Sequence, residues 1–141
     1  MQWRGAMNNQ PTRWLALAAT TFFMACDPGP DHEVLDAGQV CLTSAEADAP
    51  LTVTVTLDDC ISACVDNEIE TCSITVEGNT LRLTSAFSYD DADENEACIA
   101  ICNAQQATCS SEALVPGDYV LEHGEQSHPI AIPTTDLPTC L

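Results

Sequence analysis

Between Leu51 and Leu57 the chain alternates strictly. Leu51, Val53, Val55 and Leu57 are apolar, and Thr52, Thr54 and Thr56 stand between them. A period of two carried by β-branched residues predicts a strand with one buried face. Residues 73–77 alternate again, with Ile74 and Val76 on the apolar parity. Gly78-Asn79 follows, a two-residue turn signal between two alternating runs, so a hairpin is expected. The returning strand, residues 80–88, turns Leu81, Leu83 and Phe87 inward and Arg82 outward. Pro116-Gly117-Asp118 marks a turn, and residues 119–123 read as the next strand. Gly124-Glu125-Gln126 then turns the chain into residues 127–132. Pro129 has no amide donor, which places that last strand at a sheet edge.

A cysteine pattern lies between these strands. Cys60-Ile-Ser-Ala-Cys64 leads on to Cys72-Ser73, and Cys98-Ile-Ala-Ile-Cys102 leads on to Cys109-Ser110. The shared opening and closing residues suggest two related units. Residues 97–107 are alanine-rich and read as a short helix capped by Asn95. On such a helix Cys98 and Cys102 share a face and point the same way, so each bonds elsewhere. The expected pairing is Cys64–Cys72 and Cys102–Cys109 within the units. Cys60–Cys98 joins the two units, and Cys41–Cys140 closes the domain. Sequence alone leaves the other connectivities open. The fold class expected is all-β: a small disulfide-rich β-sandwich of about 5–7 strands with one or two short helical turns.

The N-terminal pattern is of another kind. An apolar run from Trp14 ends at Phe23-Met24-Ala25-Cys26, with Arg4 and Arg13 before it and no acid before Asp27. Basic, then apolar, then small is the order of an export signal. The apolar part is far short of the roughly 20 residues a membrane-spanning helix needs. Its end, Phe23-Met24-Ala25-Cys26, resembles the type II signal of bacterial lipoproteins. The resemblance implies cleavage before Cys26 and acylation of its sulfur. It also implies a membrane-anchored protein of the bacterial cell envelope, facing the periplasm or the exterior. Parity agrees with it. The chain has 9 cysteines, and setting Cys26 aside leaves an even number to pair. On this reading residues 1–25 are the signal, residues 26–40 a flexible tether rich in Pro, Gly and acid, and residues 41–141 the folded domain. The alternative is an ordinary secretory signal and a freely secreted acidic effector or inhibitor.

Charge narrows the partners. All 22 acidic residues follow Cys26, and the three strong bases are Arg4, Arg13 and Arg82. A surface this acidic repels phosphate, which argues against nucleic acid. It repels anionic headgroups too, so the lipid anchor alone would hold the domain at a membrane. The partner expected is a protein or a polycationic ligand, bound less tightly as salt rises.

Catalytic and metal chemistry find little purchase. Asp91, Asp93 and Asn95 alternate like the start of a calcium loop, but Glu96 stands where that loop needs glycine and Cys102 where it needs a bidentate acid. They remain weak cation candidates only. The cysteines with His123 and His128 contain no Cys-x-x-Cys pair, and their spacing fits no closed zinc site. His123 and His128 read as residues of a surface hairpin, and His32 as a solvated tether residue. Ser73 and Ser110 each follow a cysteine and lie in no Gly-x-Ser-x-Gly turn. Asp118 with His123, and the carboxylate pair Asp58-Asp59, propose no triad or acid–base pair by themselves. The expectation is a non-catalytic binding or structural module without a cofactor, with a small hydrolase as the remote alternative.

Overall fold

The computed structural model describes residues 29–57, 61–62, 64–91 and 102–141. They form an all-β fold, with no helix among them. The strands are β1 (His32–Leu35), β2 (Gln39–Ser44), β3 (Ala49–Thr56), β4 (Ile61–Ser62), β5 (Asp66–Glu77), β6 (Thr80–Asp90), β7 (Cys102–Asn103), β8 (Gln106–Leu114), β9 (Gly117–His123), β10 (Gln126–Ile132) and β11 (Thr139–Cys140). A five-stranded sheet is built on β6, with β5 along one edge and β1 and β9 sharing the other, and β10 beyond β9. A four-stranded sheet has the order β11-β2-β3-β8. A short ladder pairs β4 with β7.

Period-two patterning sets which faces meet. Val40, Leu42, Leu51, Val53 and Val55 of the four-stranded sheet share one buried cluster with Leu81, Leu83, Phe87, Leu121 and Ile130 of the five-stranded sheet. Burying each such side chain stabilises by about 1.5–3 kcal/mol relative to exposure, so this interlayer is the main source of stability. The Gly78-Asn79 turn closes the β5–β6 hairpin, with Glu77 opposite Thr80. Gly78 has φ 64°, a left-handed value that glycine adopts without a Cβ clash. β10 is an edge strand and carries Pro129.

The structure corrects several expectations. The strands are more numerous than 5–7, because β1, β2, β8 and β11 carry weaker patterns than the runs read as strands. Residues 32–35, read as tether, pair with residues 86–89 of β6 as β1. Their backbone groups find partners there, which their polar composition does not announce. The helix expected over residues 97–107 is replaced where the chain is described. Residues 102–103 and 106–107 are strand, and Ala107 is buried on the inward parity of β8.

The disulfides differ in part: the Cys41–Cys140 bond is present, and the two local bridges are replaced. Cys41 is bonded to Cys140, across paired strands β2 and β11. Cys72 is bonded to Cys109, which links β5 to β8 and so ties one sheet to the other. This replaces the expected Cys64–Cys72 and Cys102–Cys109. An extended strand rises about 3.3 Å per residue, so a cysteine in mid-strand cannot bond one seven or eight places earlier. Cys64 and Cys102 are disulfide-bonded as well. The expected Cys60–Cys98 bridge lies outside the described residues. The sequence repeat survives in a different form: its third cysteines bond to each other, and Ile61–Ser62 of the first unit pairs with Cys102–Asn103 of the second.

Candidate binding cleft

Polar chemistry collects where β1 and β9 leave part of β6 bare. β1 pairs with residues 86–89 and β9 with residues 80–83, so Thr84 and Ser85 have no strand on that edge. Asp36, just after β1, fills the gap. Its N–H donates to Ser85 O at 2.8 Å. Its Oδ1 accepts from Ser85 N–H at 2.9 Å. One aspartate thus makes both bonds that a strand residue would make. The turn needs a left-handed backbone at Asp36, φ 48°, which Asp tolerates better than most residues. It also needs Gly124, where a Cβ would come within 2.6 Å of the Asp36 carbonyl oxygen.

Ser85 turns its hydroxyl inward, 2.9 Å from His123 Nε2. Both residues are buried. Burial pulls the His123 pKa below its ordinary value; the Asp36 charge works against that shift, and His128 adds to it. Serine, histidine and aspartate together invite comparison with a hydrolytic triad, but the roles do not match. In a triad the carboxylate orients the histidine and the serine faces the substrate. Here the carboxylate holds the Ser85 amide, and Ser85 is 4 % exposed. The three residues act as a joint between β1, β6 and β9.

Outside this joint the surface is open. One depression of about 270 Å³ is bordered by Leu35, Thr71 and Thr84, and a second of about 250 Å³ by Arg82, Glu122 and Gly124. Asp36 borders both, and also a third of about 290 Å³ beside Glu125 and Gln126. Small-molecule pockets run from about 300 to 1,000 Å³, so each of these suits a side chain better than a whole ligand. Leu35 is 58 % exposed and Ile69 is 55 % exposed, both on the outer side of this sheet. Arg82 lies 3.6 Å from Glu122 and 4.0 Å from Glu77. Exposed pairs of this kind contribute about 0–1 kcal/mol.

The residues singled out from sequence are scattered. Asp91 Oδ1 is 2.9 Å from His32 Nε2, and its backbone N–H donates to Asp31 Oδ2 at 3.2 Å. Asp93 and Asn95 lie outside the described residues. His32 stacks on Tyr89 with ring centroids 4.7 Å apart, so it belongs to the sheet and not to a solvated tether. Nearby, the Asn67 amide and the Asp31 backbone N–H hold the Asp90 carboxyl below its ordinary pKa. His123 is not on the surface. It shares the inward parity of Tyr119 and Leu121, a signal present in the sequence. Asp118 sits near the opposite end of β9 from His123. Ser73 and Ser110 bond laterally to Thr84 and Thr52 on outer faces.

Two polar residues escaped sequence reasoning. Ser85 interrupts the apolar parity of β6 between Leu83 and Phe87, which is a legible cue to a buried polar contact. Gln105 is fully buried; its Nε2 donates to Glu68 Oε1 at 2.9 Å, and its Oε1 has no partner. Rotating that amide would set its oxygen against the Glu68 carboxylate, so Glu68 fixes its orientation. Comparison of the chain with protein-family models, curated proteins and solved structures finds no match.

Proposed function

We propose that the chain is a lipid-anchored, non-catalytic binding module of the bacterial cell envelope. Its cleft beside Asp36 takes a cationic segment of another protein. The charge pattern carries this reading. After Cys26 there are 22 acids and a single arginine, Arg82, and that arginine is already engaged by Glu77 and Glu122. A lysine or arginine side chain entering the second or third depression meets Asp36 with Glu122 or Glu125, and the first, also beside Asp36, offers the aliphatic Leu35. The Cys41–Cys140 and Cys72–Cys109 bonds support an oxidising compartment outside the cytoplasm. The lipid anchor rests on Phe23-Met24-Ala25-Cys26, and the inward hydroxyl of Ser85 supports the non-catalytic assignment.

Titration with a lysine oligomer tests the binding reading. Binding is expected at low salt, with affinity falling at least about tenfold by roughly 0.5 M salt as screening shortens the Debye length. Glu122→Gln combined with Glu125→Gln is expected to weaken it. Salt-independent binding removes the electrostatic argument. Cys26→Ser is expected to release the protein from membranes, and unchanged partitioning would exclude lipidation there. Turnover on a hydrolase panel that disappears in Ser85→Ala would overturn the non-enzymatic assignment.

A further inference from the structure

β1 is lightly held. It is 4 residues long, Glu33 and Leu35 are exposed, and only Val34 packs partly against the core. Among the described residues it pairs with β6 and with no other strand. Aspartates pin it at both ends. At one end the Asp36 N–H donates to Ser85 O at 2.8 Å, and Asp36 Oδ1 accepts from the Ser85 N–H at 2.9 Å. At the other the Asp31 N–H donates to Asp90 Oδ1 at 3.1 Å, and the Asp91 N–H donates to Asp31 Oδ2 at 3.2 Å. Three of these four bonds end on a carboxylate, which accepts most strongly while it is ionised.

Beyond Gly38 the chain is held firmly. Gln39 pairs with Thr56, and Cys41 is bonded to Cys140, so β2 is fixed in the other sheet. Between β1 and β2 stand two left-handed residues, Asp36 at φ 48° and Gly38 at φ 108°. A left-handed backbone is disfavoured for a residue with a Cβ, so the turn at Asp36 relaxes when β1 lifts. The same segment lies against a buried histidine. Asp36, Ala37, Gly38 and His123 border one depression, and His123 is 3 % exposed.

We propose that residues 31–38 are a strap that acid lifts from β6 while the two sheets stay packed. Segments with few buried apolar contacts open at the least cost, and this one opens between a light strand and a firm one. Lifting it uncovers His123, whose imidazole can then take up a proton that burial disfavours. The ionisable groups around that ring are Asp36 from the strap, His128 from β10 and Glu125 from the turn. β6 turns only Leu83, Ser85 and Phe87 inward there. Burial outweighs the Asp36 charge, so the closed strap holds the His123 pKa below 6.5. As pH falls through 6.5 the open strap binds the proton first, and closure weakens until the closed value is reached. Asp90 adds in the same direction below 3.8. The Asn67 amide and then the Asp31 N–H hold its carboxyl low, and lifting removes the Asp31 share. Asp66, opposite Asp90 on β5, stays in place in both states. His32 resists release while Asp91 is ionised, because an imidazolium binds that carboxylate more tightly. Asp36 borders all three depressions, so lifting the strap removes their shared wall. On the proposed reading of the cleft, on which this consequence rests, acid lets the cationic segment go.

Amide hydrogen exchange of the protein alone, read by mass spectrometry and corrected for intrinsic rates, tests the strap. Between about pH 7.5 and about pH 4, protection of residues 32–36 and of their partners 85–89 is expected to fall roughly tenfold, while β3 and β8 keep theirs. His123→Gln can still bond Ser85 and does not titrate, so its strap protection is expected to stay constant from about pH 7.5 to about pH 5. Should that variant not fold, the ring resonances of His123 in the parent decide: loss of protection levels off at the pH where the ring titrates. Strap protection that ignores pH overturns the inference. So does protection lost together with that of β3 and β8, a folded His123→Gln that keeps the parent's response, or a loss that does not level off with the ring. A lysine oligomer separates this inference from the cleft. Exchange that behaves as expected in a protein that binds no oligomer at about pH 7.5 upholds the strap and sinks the cleft reading.

Discussion

The two outer faces of the sandwich follow one strand pattern and both carry hydroxyl pairs, but they differ in the charge set among them. On the five-stranded side, outward positions mix hydroxyls such as Ser73 and Thr84 with Glu33, Glu77, Arg82 and Glu122 and the exposed Leu35 and Ile69, and an edge gap at Ser85 makes relief. On the four-stranded side, Gln39, Thr52, Thr54, Thr56, Gln106, Thr108 and Ser110 stand in register beside the Cys41–Cys140 bond, and the first acid on the same parity is Glu112. Both faces satisfy the buried core equally well, because the core reads only the inward parity. Folding therefore leaves each outer face free to take its own chemistry.

The largest effects come from cutting the two disulfides, one between the sheets and one within the four-stranded sheet. Replacing Cys72 and Cys109 with alanine is expected to cost about 2–4 kcal/mol in urea unfolding. Replacing Cys41 and Cys140 should cost more, because their sequence separation is 99 against 37. The chain-entropy account puts the difference at about 1 kcal/mol. If the Cys72–Cys109 variant proves the weaker of the two, the sheets depend on their link more than on loop closure.

Next comes the joint on the charged side. Asp36→Ala leaves the Ser85 amide without its acceptor and is expected to cost about 1–3 kcal/mol. Gly124→Ala, whose Cβ would press on the Asp36 carbonyl, is expected to destabilise in the same region. The third effect is a slope with pH. His123 has a folded pKa below the ordinary 6.5 because it is buried. Above that value neither state holds the proton. As pH falls through 6.5 the unfolded chain binds it first, so stability is lost until the folded value is reached. His123→Gln is expected to flatten this part of the stability profile. The Thr54–Thr108 and Thr52–Ser110 pairs of the other face do not titrate and should contribute nothing to it. The smallest effect is there: Thr54→Val, which breaks one cross-strand hydroxyl pair, is expected to change stability by less than about 1 kcal/mol.

Legibility followed side-chain contrast. β3, β6 and β9 were plain in the sequence because Leu, Val and Tyr alternate with Thr, Arg and Glu. β8 was not, because its inward residues include Ala107, Cys109 and Ser111, which give little hydrophobic contrast and look helical beside other alanines. β1 is nearly all exposed and its stability comes from backbone pairing, which composition does not display. The cleft was hidden for a different reason. Asp36, Ser85 and His123 are far apart in sequence, and only the meeting of β1 and β9 on one edge of β6 brings them together. The cysteine pairing failed where local closure was assumed, since mid-strand cysteines look across the structure and not along it.

The closed edges of this sandwich have a consequence for colloidal behaviour. An open strand edge is a template on which further chains can stack without limit. Here β5 and β8 are tethered to each other by Cys72–Cys109, and Glu70 Oε1 takes the Gln106 N–H at 2.8 Å. β10 carries Pro129, and β11 and β1 are only 2 and 4 residues long. A chain built this way can be concentrated in a crowded compartment without seeding fibres.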